Sequence, residues 1–92
     1  METRRIVLEI LLEYEKEGTM LRPLLSSVLT KYAYLDRRDR AFIKTLCEGV
    51  VERQMSLDYV IDQAASTKTS KMQSTIRQII RMGVYQILYM DH

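Results

Sequence analysis

A single cysteine, Cys47, and a single histidine, His92, stand among the 92 residues. No internal disulfide can form, and no set of Cys and His ligands exists for a structural zinc, so a reducing cytoplasm fits the chain best. Tryptophan is absent, proline occurs once and glycine three times, which removes low-complexity and Gly/Pro-rich linker classes. No apolar run approaches the roughly 20 residues that cross a bilayer. The opening METRRIVLEI lacks the long apolar segment and small-residue cleavage site of a signal peptide, so no membrane role is expected. Apolar and polar residues do not alternate over any useful length, which argues against a sheet. No Gly-rich phosphate loop, H-E-x-x-H run or G-x-S-x-G elbow occurs.

What is present describes a small folded domain. Hydrophobic residues make up 47% and charged residues 28%, enough apolar content to exclude disorder as the main state. At this length one domain, residues 1–92, buries about two thirds of its unfolded surface. The apolar spacing predicts five helices. The first spans about Thr3 to Lys16 on Ile6, Val7, Ile10, Leu11 and Tyr14, with Gly18 as its stop. The second runs about Arg22 to Tyr32, with Pro23 in its first turn. The third is capped by Asp36, carries Ala41, Ile43, Leu46, Cys47 and Val50, and ends near Arg53. A fourth, capped by Ser56, buries Leu57, Val60, Ile61 and Ala64 before the polar run Ser66 to Ser70 breaks it. The last carries Met72, Ile76, Ile79, Ile80, Gly83, Ile87 and Met90 on one broad face. Val84, Tyr85 and Leu88 widen that face past half the circumference, so the helix either lies in the middle of the bundle or keeps an open side.

Charge is uneven along the chain. The net charge is +2, but residues 1–62 are net −1, whereas Lys68, Lys71, Arg77 and Arg81 against Asp91 make residues 63–92 net +3. Arg37 and Arg38 at the start of the third helix, with Arg4, Arg5, Lys68, Lys71 and Arg77, are the candidate phosphate contacts. Arg77, Arg81, Gln73, Tyr85 and Tyr89 share one strip of the last helix and combine cations with aromatic planes. Arg81 is also placed to pair internally with Asp39, Glu48 or Asp58. No catalytic residue is expected: His92 sits at the chain end, Cys47 is in phase with a core stripe, and the acidic residues form a solvated face. No metal site is expected either.

Three stretches carry a family resemblance. They are Thr3-Arg4 with Ile6 to Leu11; Asp39-Arg40-Ala41-Phe42 with Leu46 to Val50, Arg53 and Leu57-Asp58-Tyr59; and Ile79 to Tyr89. Together they resemble the NusB-like RNA-binding domain, in the version at the N-terminus of bacterial ribosomal RNA cytosine-C5 methyltransferases of the RsmB/Sun type. The resemblance covers nearly the whole chain. It implies an all-α, NusB-like helical bundle that lacks the family's last helices, the S-adenosylmethionine-binding catalytic domain and its two cysteines. No cofactor is then expected in these residues, nor methylation by them alone.

By that resemblance the domain docks 16S ribosomal RNA for the attached enzyme. The alternatives are a NusB-type transcription antitermination factor or a helical protein-interaction module, including a homodimer through the open face of the last helix. Asp39, Arg40, Arg53 and Arg81 are expected to form a polar network fixing the third helix against the fifth. Gly49 and Gly83, inside helical patterns, are expected at close helix contacts, because glycine there costs about 1 kcal/mol relative to alanine.

Overall fold

A computed structural model describes residues 2–90 of the chain. Five α-helices follow one another: α1 (Glu2–Glu17), α2 (Leu21–Lys31), α3 (Arg37–Glu52), α4 (Gln54–Ala64) and α5 (Ser74–Tyr85). A 3-10 turn at Thr69–Lys71 precedes α5, and a π-helical turn at Gln86–Met90 continues it. No strand occurs among the described residues. Asp91 and His92 lie outside them.

The helix ends follow local chemistry. Gly18 adopts φ 67°, a left-handed conformation that a Cβ would strain, and its N–H donates to the Tyr14 carbonyl at 3.1 Å to close α1. Asp36 caps α3, its Oδ1 accepting from the Asp39 N–H at 2.8 Å. Ser56 does not cap α4. The chain turns at Arg53 alone (φ −108°, ψ 20°), and that residue closes α3 and opens α4, so Ser56 falls inside the first turn. Met72 likewise lies before α5, which starts after Gln73.

α1 packs on both α3 and α5, α2 covers α1 and α3, and α4 covers α3 and α5. The core is built from Ile6, Val7, Ile10 and Leu11 of α1, Ile43, Leu46, Cys47 and Val50 of α3, and Leu57 and Ile61 of α4, with Leu25, Met82 and Tyr85 completing it. Each fully buried aliphatic side chain contributes about 1.5–3 kcal/mol. In α4 only Leu57 and Ile61 of the expected face are buried, whereas Val60 and Ala64 are exposed.

The last helix departs most from its sequence pattern. Its buried residues are Gln78, Arg81, Met82 and Tyr85, while Ile76, Ile79, Ile87 and Leu88 are about half exposed or more. Polar Gln78 and Arg81 take inward positions because acidic side chains from α1 and α4 meet them there. Gly49 is a close contact as expected: a Cβ on it would enter the Tyr85 ring. Gly83 is not, since open space surrounds the position its Cβ would take.

Candidate nucleic-acid interface

The candidate cations divide between two ends of the bundle. Arg4 and Glu15 lie about 16 Å apart along α1, at 1.5 Å per residue, and each marks one end. Around Glu15 the arginines are closed by carboxylates. Glu15 accepts from Ser74 Oγ at 2.7 Å, from Gln78 Nε2 at 2.6 Å and from Arg77 Nη1 at 2.5 Å. Burial alone would raise the Glu15 pKa, but the hydrogen bonds from Ser74, Gln78 and Arg77 and the Arg77 charge outweigh it and lower the value. Arg77 also donates to the carbonyls of Thr69 at 2.8 Å and Met72 at 2.6 Å.

Arg77 therefore does not fit the phosphate-contact role expected of it. Its side chain is 16% exposed and spans from α1 to the turn before α5. That turn is pinned from the other side by Asp62, whose carboxylate accepts from the Thr69 N–H and hydroxyl. Lys68, donating to the Asp62 carbonyl at 3.2 Å, and Lys71 are exposed on the loop so held.

The expected network of Asp39, Arg40, Arg53 and Arg81 is not one network. Arg81 makes a two-pronged pair with Asp58 of α4, both contacts at 2.8 Å, and is 7% exposed; it ties α5 to α4. Arg40 donates to the carbonyls of Leu29 and Tyr32, binding α3 to the end of α2. Asp39 belongs to the α3 cap. Only Arg53 bridges α3 to the last helical segment, and it does so over the Tyr89 ring, 4.3 Å from its centroid. The four residues do four separate jobs, because their partners come from four different parts of the chain.

At the opposite end Arg4 is exposed, lies 5.1 Å from the centre of the Phe42 ring and donates twice to Gln86 Oε1, at 3.0 and 2.7 Å. Arg38 stands four residues before Phe42, one turn away on the same side of α3, and Arg37 is beside it; both are exposed. Arg5, next on α1, pairs with Glu9 at 2.8 Å. Arg4, Arg5, Arg37 and Arg38 thus gather where α1 and α3 begin, and Lys68 and Lys71 lie apart from them. Phe42 and Gln86 stand in the stretches that carry the family resemblance, but the sequence gives them no role at a site, because what they hold is an arginine 38 or more residues away.

Cys47 is fully buried, and burial pushes its thiol up to about 12, leaving it protonated and inert at neutral pH. Among the described residues, no group of three or more His, Cys, Asp or Glu is placed to hold a metal ion, and no helix is long and apolar enough to cross a membrane.

A sequence profile described as the NusB family matches residues 1–92, the whole chain. The chain belongs to the NusB family. This NusB-family chain is 30% identical over 91 residues to a probable ribosomal RNA small subunit methyltransferase B of Synechocystis sp., covering 99% of this chain and 20% of that protein. It is 34% identical over 58 residues to the transcription antitermination protein NusB of Ruminiclostridium cellulolyticum, covering 62% of this chain and 40% of that protein. With ribosomal RNA small subunit methyltransferase B of Cronobacter sakazakii it shares 34% identity over 72 residues, 78% of this chain and 15% of that protein. The chain thus spans between a seventh and two fifths of the length of these relatives. No solved structure matches it significantly.

Proposed function

We propose that this domain docks ribosomal RNA, as the RNA-holding part of a small-subunit ribosomal RNA cytosine-C5 methyltransferase acting in the cytoplasm. The observation that carries this reading is the cationic end formed by Arg4, Arg37 and Arg38. Arg4 is held on neutral groups, Phe42 and Gln86, so its charge stays available to a polyanion. The methyltransferase relative matched over 99% of the chain favours this role over antitermination, for which the NusB relative covers 62%. S-adenosylmethionine and the methyl transfer itself belong, on this reading, to a separate catalytic domain.

A fluorescence-anisotropy titration against a small-subunit ribosomal RNA hairpin and a scrambled control, at low and near-physiological salt, tests it. Binding that weakens steeply with salt and favours the ribosomal hairpin is expected; no binding at either salt removes the reading.

A second reading rests on the exposed Ile76, Ile79 and Ile87 of the last helix. Gly83, with open space at its Cβ position, leaves room among them for a helix of a second copy. Sedimentation velocity decides it: a monomer at high concentration removes the dimer.

A further inference from the structure

Four groups form a column running from the core to the surface at the α3–α4 corner. Gly49 of α3 is its base, because a side chain there would enter the Tyr85 ring. Tyr85, 9% exposed, is the first ring. Tyr89 follows one turn later, its ring centre 5.0 Å from that of Tyr85 with 34° between the planes, a geometry within the attractive range for aromatic pairs. Arg53 closes the column, its guanidinium 4.3 Å from the Tyr89 ring centre. The lower part is buried, whereas Tyr89 is 39% exposed and Arg53 is exposed.

Backbone hydrogen bonds hold the chain on both sides of the column. Arg53 is the single residue between two helices, its backbone N–H bonded to the Gly49 and Val51 carbonyls and its carbonyl accepting from the Leu57 N–H at 2.9 Å. Tyr89 sits in the π-helical turn, where the Gln86 N–H is shared between the Gly83 and Met82 carbonyls. Such turns recur at functional sites. Arg53 meets no carboxylate among the described residues. Arg77 and Arg81 end on Glu15 and Asp58, whereas Arg53 ends over an aromatic ring, which leaves its charge uncompensated.

We propose that the Arg53–Tyr89 column is a stacking site for one unpaired nucleobase of single-stranded RNA. The base lies on this planar edge while the guanidinium donors reach an adjacent phosphate, the combination by which unpaired RNA is recognised. Arg53 stands about 22 Å from Arg38 along α3, so the column is separate from the Arg4, Arg37 and Arg38 cluster. A strand of a few nucleotides reaches both. The proposal rests on the RNA-docking reading and adds to it a recognition of unpaired rather than helical RNA.

The test uses the 92-residue chain and single-stranded ribosomal oligonucleotides carrying 2-aminopurine at successive positions, with the matching duplex as control. The unaltered chain is expected to quench the fluorescence at one or two positions and to prefer the single strand. Arg53→Lys keeps the charge and loses the plane: it should keep the salt slope, lose the quenching and bind about tenfold more weakly. Tyr89→Leu, which leaves Arg53 unsupported, should act in the same direction. Circular dichroism confirms that both variants remain helical. Salt-dependent binding without quenching at any position, or quenching unchanged in both variants, overturns the stacking site and leaves RNA docking standing. No RNA binding by the unaltered chain overturns both.

Discussion

The bundle uses arginine in two opposite ways. Where α1 finishes, Arg77 and Arg81 terminate on the carboxylates of Glu15 and Asp58. Where α1 begins, and at the α3–α4 corner, Arg4 and Arg53 terminate on Phe42, Gln86 and Tyr89. A carboxylate fixes a guanidinium and cancels its charge; an aromatic ring or amide fixes it and leaves the charge in place. The first arrangement builds a fold, the second a surface that attracts anions. Counting basic residues along the sequence cannot separate the two, since the distinction lies in the partner.

The largest effect is expected from breaking the carboxylate end. Arg81→Ala removes a two-pronged pair that is 7% and 24% exposed at its two members and leaves the half-buried Asp58 without its cation. Breaking a pair of this kind costs about 3 kcal/mol, a large share of the roughly 5–14 kcal/mol available to a chain of this length. Urea unfolding should show the midpoint falling with an unchanged slope, and RNA affinity measured well below the midpoint should not change. A loss of affinity without loss of stability would move Arg81 to the other end of the comparison.

A smaller loss is expected at Glu15, with a pH signature. Its folded pKa lies below the ordinary 4.5, so it binds its proton less readily folded than unfolded. The stability it supplies is therefore present above about pH 4.5 and is lost as pH falls through the folded value. Glu15→Gln should cost about 2 kcal/mol at neutral pH, the scale of hydrogen bonds to a charged group. Thermal unfolding followed downward in pH should bring variant and unaltered chain together once Glu15 is protonated. Curves that stay apart throughout would mean that the charge of Glu15 is not what holds Arg77, Gln78 and Ser74.

What is legible in the sequence follows from how local each cause is. The Asp36 cap, the Gly18 stop, the five-helix plan and the Gly49 contact depend on neighbours within a few residues or on a glycine in a helical pattern. Arg77 has the sequence signature of a phosphate contact because its partner Glu15 lies 62 residues earlier and looks, among Glu13 and Glu17, like part of a solvated acidic face. The last helix shows the same limit. Period alone gives a broad apolar side, whereas Glu15 and Asp58 draw Gln78 and Arg81 inward and turn Ile76 and Ile79 outward. Phe42 and Gln86 belong to the family stretches, yet their role at the site is not legible there, since an aromatic and an amide acquire it only once Arg4 is laid against them.

The smallest stability effect belongs to the anion-attracting end and sharpens the comparison from the other side. Arg37 and Arg38 are exposed in the first turn of α3, where the helix dipole disfavours a cation by a few tenths of a kcal/mol. Replacing both by alanine should therefore leave unfolding within about 0.5 kcal/mol of the unaltered chain, and any shift should be toward greater stability. RNA binding should respond strongly, with the slope of log affinity against log salt falling by about 1 for each phosphate that is no longer neutralised. A residue whose removal leaves the fold intact and flattens the salt dependence is one the fold does not need, and that is what separates Arg37 and Arg38 from Arg77 and Arg81. If the double variant instead destabilised the chain and kept its salt slope, Arg37 and Arg38 would be structural like Arg77 and Arg81, and the RNA-binding cations would have to be sought at Arg4, Arg53, Lys68 and Lys71.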